Sequence, residues 1–188
     1  MKRAYLTALF FLLVPLTSMA HPGHDTSTFM SGYLHPLTGI DHLLVILAVG
    51  FWAARTSRQM WQLPSIFIGF MLIGLLFGAG LQSAVFVEWG ILASLFTMAV
   101  VLMLASDVNN MVKYGLTSLF ALFHGMAHGN ELVLADNALA VIAGMLLSSS
   151  LLIVMGVYFG KRQGRVGAYF RNIIVSCLTF TGALFLLS

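Results

Sequence analysis

The sequence predicts an all-α fold, specifically a polytopic helical membrane protein, on three observations. Of 188 residues, 60% are apolar and 8% charged, against about 45–50% and about 25% in soluble domains. Mean hydropathy is +0.97. The apolar residues also fall into runs near the roughly 20 residues that cross ~30 Å of hydrocarbon. With 9 basic and 6 acidic side chains, a chain of this size cannot cover a water-facing surface. That excludes the soluble globular, disordered and nucleic-acid-binding classes. The single cysteine, Cys177, sits within an apolar stretch and excludes a disulfide framework and any Cys-based zinc or iron–sulfur site.

The elements follow in order. Residues 1–20 read as a signal peptide: a basic start at Lys2 and Arg3, an apolar stretch from Ala4 to Leu16 interrupted by Pro15, and Ser18-Met19-Ala20 as a small-x-small site. Cleavage after Ala20 leaves residues 21–33 as a histidine-containing periplasmic tail beginning His21-Pro22-Gly23-His24-Asp25, followed by a six-helix transmembrane domain over 34–188. The six apolar runs are Leu34–Ala54, Pro64–Leu81, Phe86–Ala105, Val112–Gly129, Asn137–Phe159 and Asn172–Leu187. Pro36 suits the first turn of the first span, where its missing N–H costs nothing, and Asp136 is placed to cap the fifth. Gly74-x-x-x-Gly78 and Gly156-x-x-x-Gly160 read as helix-packing surfaces.

Orientation comes from the loop cations. Arg55 and Arg58 follow span 1, Lys113 follows span 3, and Lys161, Arg162, Arg165 and Arg171 follow span 5, whereas the connections after spans 2 and 4 carry no Lys or Arg. Those alternate loops are therefore expected in the cytoplasm of a multi-pass inner-membrane protein. Both ends of the mature chain are then outside, in agreement with a cleaved leader.

Ionisable groups within apolar spans are costly and functional by default. Span 1 opens His35-Pro36-Leu37-Thr38-Gly39-Ile40-Asp41-His42; span 4 carries His124-Gly125-Met126-Ala127-His128-Gly129-Asn130-Glu131. His35 and His42, seven apart, share one helix face, with Asp41 offset by about 100°. His124, His128 and Glu131 form one stripe at i, i+4 and i+7, and Gly125 and Gly129 let another backbone come close. Span 1 enters from outside and span 4 leaves toward it, so both clusters fall on the order of 10 Å below the outer surface. If spans 1 and 4 pack together, four imidazoles and two carboxylates converge, and such a set without thiolates suits borderline divalent ions: nickel, cobalt, zinc, copper(II) or iron(II). Two carboxylates neutralise a dication in a low-dielectric interior. His21 and His24 are candidates for metal capture outside. Glu88 reads as an interfacial acid, and the scattered methionines as packing. Gly156-x-x-x-Gly160-Lys161-Arg162 lacks the Ser/Thr of a phosphate loop and ends a span, so no ATP drive is encoded.

These two motifs make the chain resemble the HupE/UreJ family of small membrane proteins, associated with hydrogenase and urease gene clusters and regarded as nickel or cobalt permeases. The resemblance rests on His35-Pro36-x-x-Gly39-x-Asp41-His42 and His124-Gly125-x-Ala127-His128-Gly129-x-Glu131, and extends to the leader, the His-Pro-Gly-His start and six spans. It implies a non-enzymatic permease without cofactor, whose cargo is Ni2+ or Co2+. It also implies metal handling by His35, Asp41, His42, His124, His128 and Glu131. The expected partners are the ion and the lipid bilayer, with no nucleic acid and with homo-oligomerisation left open. Two other classes compete: an intramembrane zinc hydrolase on His124, His128 and Glu131 with Asp41 as base, and a proton-path or structural subunit of a larger complex. Imidazoles must be neutral to ligate, so the initial rate of nickel uptake measured against pH should fall as pH drops through ~6.5.

Overall fold

The structure, a computed structural model, describes residues 28–56, 60–79, 85–104, 108–133 and 135–187, without the side chains of Thr56, Asn130, Glu131 and Val133. The leader over residues 1–20, the tail histidines His21 and His24, and Arg58 lie outside the described residues.

The described residues are helical from Phe29 onward. Helix α1 (Phe29–Thr38) starts before Leu34 because Thr28 and Ser31 form a capping box: the Ser31 N–H donates to Thr28 Oγ1 at 3.2 Å, and the Thr28 N–H to Ser31 Oγ at 3.2 Å. Pro36 consequently sits in the last turn of α1 instead of the first turn of a span. There the helix is about to end, since Gly39 turns extended at φ −76 and ψ 103. Helix α2 (Ile40–Thr56) then leaves at 79° to α1. The first apolar run is therefore a broken helix, where the sequence reading had one continuous span.

Five further helices follow: α3 (Gln62–Gly78), α4 (Val85–Leu104), α5 (Asn110–Val133), α6 (Ala138–Lys161) and α7 (Gly164–Leu187). The cap of α6 is Asn137 and not Asp136; its Oδ1 accepts the Ala140 N–H at 3.2 Å. Helix α7 begins at Gly164, well before Asn172. Gly164 adopts φ +70, open to glycine at little cost, and the helix runs on through Arg165 and Arg171, which interrupt the apolar pattern but not the backbone bonding.

Among the described residues, α4, α6 and α7 are long and apolar enough to cross a bilayer, and the bent α1–α2 pair counts as a fourth candidate. Helix α3 is apolar but has 17 residues, about 25 Å. Helix α5 has 24 residues, diluted in hydropathy by Lys113, His124 and His128. The outward surface is apolar, with Leu76, Phe77, Leu104, Leu139 and Phe180 all exposed. In water such a surface would be a liability; against lipid tails it is the ordinary solvent face. The chain is a multi-pass helical membrane protein.

Two parallel helix pairs carry the packing. In the α3–α5 pair, a Cβ added to Gly74, Gly78 or Gly125 would run into the carbonyl of Leu122, Met126 or Met71, respectively. The Gly74-x-x-x-Gly78 surface thus faces Gly125-x-x-x-Gly129, backbone on backbone. In the α2–α6 pair, Gly50 faces the Ile153 carbonyl and Gly156 the Leu47 carbonyl. Helix α1 crosses the start of α6 at Gly32 and Gly144. Large side chains fill the space between the pairs: Phe51, Trp52, Phe67, Leu95 and Met98 are all fully or almost fully buried. The described cations gather at one end, where Arg55 Nη2 donates to the Arg162 carbonyl at 2.9 Å and Tyr114 Oη donates to Gln62 Oε1 at 2.6 Å.

Gly125→Ala should force α3 and α5 apart and cost about 1–3 kcal/mol, read as a lowered unfolding temperature in detergent. Gly115→Ala on the same helix meets nothing within 4 Å and should leave that temperature unchanged or raise it.

Candidate functional site

The site forms where the helix breaks. In a straight helix His35 and His42 would be stacked about 10 Å apart along the axis. The 79° bend at Gly39 instead brings their ring centroids to 5.9 Å. Gly39 is needed for more than the bend: an added Cβ would lie 3.2 Å from His42 Nδ1 and 3.4 Å from Asp41 Oδ1, so the two side chains fold back over it. Opposite, α5 presents His124 and His128 one turn apart. Because Gly125 and Gly129 hold that helix against α3, the preceding residue of each pair turns toward α2.

Three imidazoles from three helices converge. One ring nitrogen from each of His35, His42 and His128 lies within 4.8 Å of the others. Centroid separations are 4.2 Å for His35–His128 and 4.4 Å for His42–His128, and the Nε2 atoms of His42 and His128 are 2.6 Å apart. At that distance the two nitrogens share a proton, since two lone pairs would repel. Asp41 lies behind the group and not within it: its Oδ1 is 2.9 Å from His42 Nδ1. Buried imidazoles oriented by a carboxylate are a common arrangement around metal ions.

His124 stands one step aside. Its ring is 4.8 Å from that of His42 and is faced by Phe67 at 6.4 Å. Its Nδ1 donates to the Phe120 carbonyl at 2.8 Å, which fixes the tautomer with the lone pair on Nε2. That Nε2 is buried without a hydrogen-bond partner among the described residues.

The residues singled out from the sequence thus separate. His35, His42 and His128 meet, Asp41 supports His42, and His124 adjoins through His42. Glu131 continues the α5 stripe by position, but its side chain lies outside the described residues, as do His21 and His24. Glu88 is exposed in the first turn of α4, in keeping with an interfacial acid. Phe67 and the Phe120 carbonyl were not anticipated. The carbonyl had a legible signal, lying four residues before His124 on one helix; Phe67 had none, since it arrives from α3.

Fold and site together define a multi-pass membrane protein with a buried histidine cluster at a helix break. The family described as HupE / UreJ protein matches residues 9–185 of this chain. The chain is also 30% identical over 179 residues to Protein HupE of Rhizobium leguminosarum bv. viciae, covering 94% of each. No solved structure matches it. The chain belongs to the HupE/UreJ family, a family of metal permeases and not of enzymes.

Replacing His35→Cys and His128→Cys together, in a Cys177→Ala background, should let a short bis-thiosulfonate reagent join α1 to α5, read as protection of a protease-nicked chain from separation on a denaturing gel. A His35→Cys and Glu88→Cys pair should stay unjoined.

Proposed function

We propose that this protein is a secondary permease carrying nickel(II), or else cobalt(II), from the periplasm to the cytoplasm across the bacterial inner membrane. The observation that carries the reading is the convergence of His35, His42 and His128 within 4.8 Å, from three separate helices. Neighbouring donor atoms around one ion at a bond of ~2.1 Å lie roughly 3.0 Å apart in tetragonal geometry and roughly 3.4 Å apart in tetrahedral geometry, so small side-chain rotations suffice to bind. The ion takes the place of the proton shared by His42 and His128, Asp41 holds His42 in its ligating tautomer, and Glu131 adds the second carboxylate. His21 and His24 collect the ion outside. Six spans, a cleaved leader and both mature termini in the periplasm complete the reading, supported by the gathering of described cations at the end of the bundle away from the histidines. The cargo is delivered to metalloenzymes such as hydrogenase or urease; the bilayer is the solvent, and the chain needs no cofactor.

The membrane potential is a sufficient drive. A dication crossing 100 mV gains about 4.6 kcal/mol, equivalent to roughly three decades of accumulation. Binding must stay modest for the ion to leave. The proton shared by His42 and His128 favours one second reading, a proton path within a larger complex. Family membership argues against the hydrolase.

The test is uptake into proteoliposomes holding the purified protein, with an inside-negative potential and nickel, cobalt, zinc, copper and iron offered in turn. Nickel or cobalt should accumulate, and Asp41→Asn combined with His124→Ala should abolish it. In titrations of the detergent-solubilised protein, Asp41→Asn alone should weaken nickel binding about 10–100-fold. Proton movement without metal movement would favour the second reading and overturn the first.

A further inference from the structure

Helices α6 and α7 are joined by Arg162 and Gln163 alone, yet they splay apart. Helix α7 packs mainly against α4 and also against α2, and only lightly against α6. The wedge left between them is an open groove of about 380 Å3, lined by Phe159, Arg165, Val166, Tyr169, Phe170 and Ile173. Val166, Tyr169, Phe170 and Ile173 are spaced i, i+3, i+4 and i+7, one stripe of α7. From Arg165 to Ile173 that stripe runs about 12 Å along the helix. Stacked rings close its back: Phe159 lies on Phe170 at 4.1 Å, and Phe170 on Phe51 at 5.6 Å. Left unfilled, such apolar walls forgo the dispersion contacts that neighbouring atoms supply.

The rim of this groove is basic without compensation. From Asn137 to Ser188 the sequence holds Lys161, Arg162, Arg165 and Arg171 and no Asp or Glu. Arg55 joins them from the end of α2, where its guanidinium donates to the Arg162 carbonyl at 2.9 Å. None of these five cations has a carboxylate partner among the described residues. Arg162 rests on the Tyr158 ring at 4.5 Å, and Arg171 reaches Asn172 Oδ1 at 3.4 Å. Lys161 and Arg165 are exposed and make no hydrogen bond or ion pair among the described residues, and of the five only Arg165 lines the groove. Lys113, the remaining described cation, is 6% exposed on α5 and stands apart from this group. Tyr158 and Tyr169 are 51% and 68% exposed beside the cations, the placement of aromatic side chains at a membrane–water boundary.

We propose that the α6–α7 groove binds one anionic phospholipid, its acyl chain along the α7 stripe and its phosphate on Arg165. Two features select that occupant. The wedge opens toward the bilayer, whose acyl chains are the apolar matter at hand to fill it. The surplus of positive charge then favours a headgroup of net negative charge over a zwitterionic one, as basic pockets between membrane helices do. A guanidinium offers paired N–H groups that match two phosphate oxygens, and Lys161 and Arg162 add attraction from the link. The bound lipid props α6 and α7 at the end of the bundle where Arg55 ties α2 to their link. This site goes beyond the permease reading and holds whichever ion is carried.

The experiment is native mass spectrometry of the purified, delipidated protein, titrated with phosphatidylglycerol and phosphatidylethanolamine of identical acyl chains. The wild type should take up one phosphatidylglycerol in preference to phosphatidylethanolamine. Arg165→Gln should weaken phosphatidylglycerol binding about fivefold and leave phosphatidylethanolamine unchanged. Ile173→Trp keeps every charge but fills the groove, and should abolish the preferred uptake; Val166→Trp reads the same should Ile173→Trp not fold. A wild type without the preference, or a preference unchanged by either substitution, overturns the site. So does equal occupancy by glycerol 3-phosphate, which marks a bare phosphate site, or a dimer that Ile173→Trp dissolves, which marks a second copy in the groove. No metal enters the measurement, so its failure leaves the permease reading standing.

Discussion

Everything at the site depends on backbone meeting backbone across glycine. In hydrocarbon, burying apolar side chains gains nothing over leaving them in lipid, so helices associate through close packing and not by expulsion of water. Gly74, Gly78, Gly125 and Gly129 leave α3 and α5 no gap to fill. This contact sets the rotation of α5 about its own axis, and with it the direction in which His124 and His128 point. The α2–α6 contact at Gly50 and Gly156 does the same for His42.

The second constraint is the interruption at Gly39. A broken helix at membrane depth leaves polar backbone groups that only protein can satisfy. Here the Gly39 N–H and the Thr38 hydroxyl both return to the His35 carbonyl, at 3.0 Å and 3.1 Å. The break therefore costs little, and it places the carbonyl end of one short helix beside the first turn of the next, where Asp41 sits. Discontinuous helices serve ion sites in other transporters for the same reason.

The all-helical membrane class was legible in composition, and the two histidine motifs stood out because so few other residues in the spans are polar. That both clusters lie at one depth was legible too, from the opposed directions of the two segments; that the two segments meet was only a condition. What was hidden is the manner of it. The spacing of His35 and His42 fits one face of a straight helix, yet it is the bend that brings them together; neither Gly39 nor Pro36 alone announces a 79° turn. The roles within the cluster were hidden as well. Asp41 and His42 are neighbours in sequence, and only side-chain placement shows that one supports the other. Two small-residue motifs were visible on separate helices, but nothing in either names its partner. Lys113 read as a loop cation because charge patterns report the membrane side, not burial.

The glycine contacts also divide the molecule. His42 belongs to the α2–α6 pair, while His124 and His128 belong to the α3–α5 pair, and His35 reaches the cluster from α1, which lies on α6. The extensive seams run within each pair, and the contact between pairs is thinner. The histidine cluster therefore straddles the boundary between the two pairs. A change in the relative attitude of the two pairs would alter the 2.6 Å His42–His128 separation while leaving both glycine seams whole.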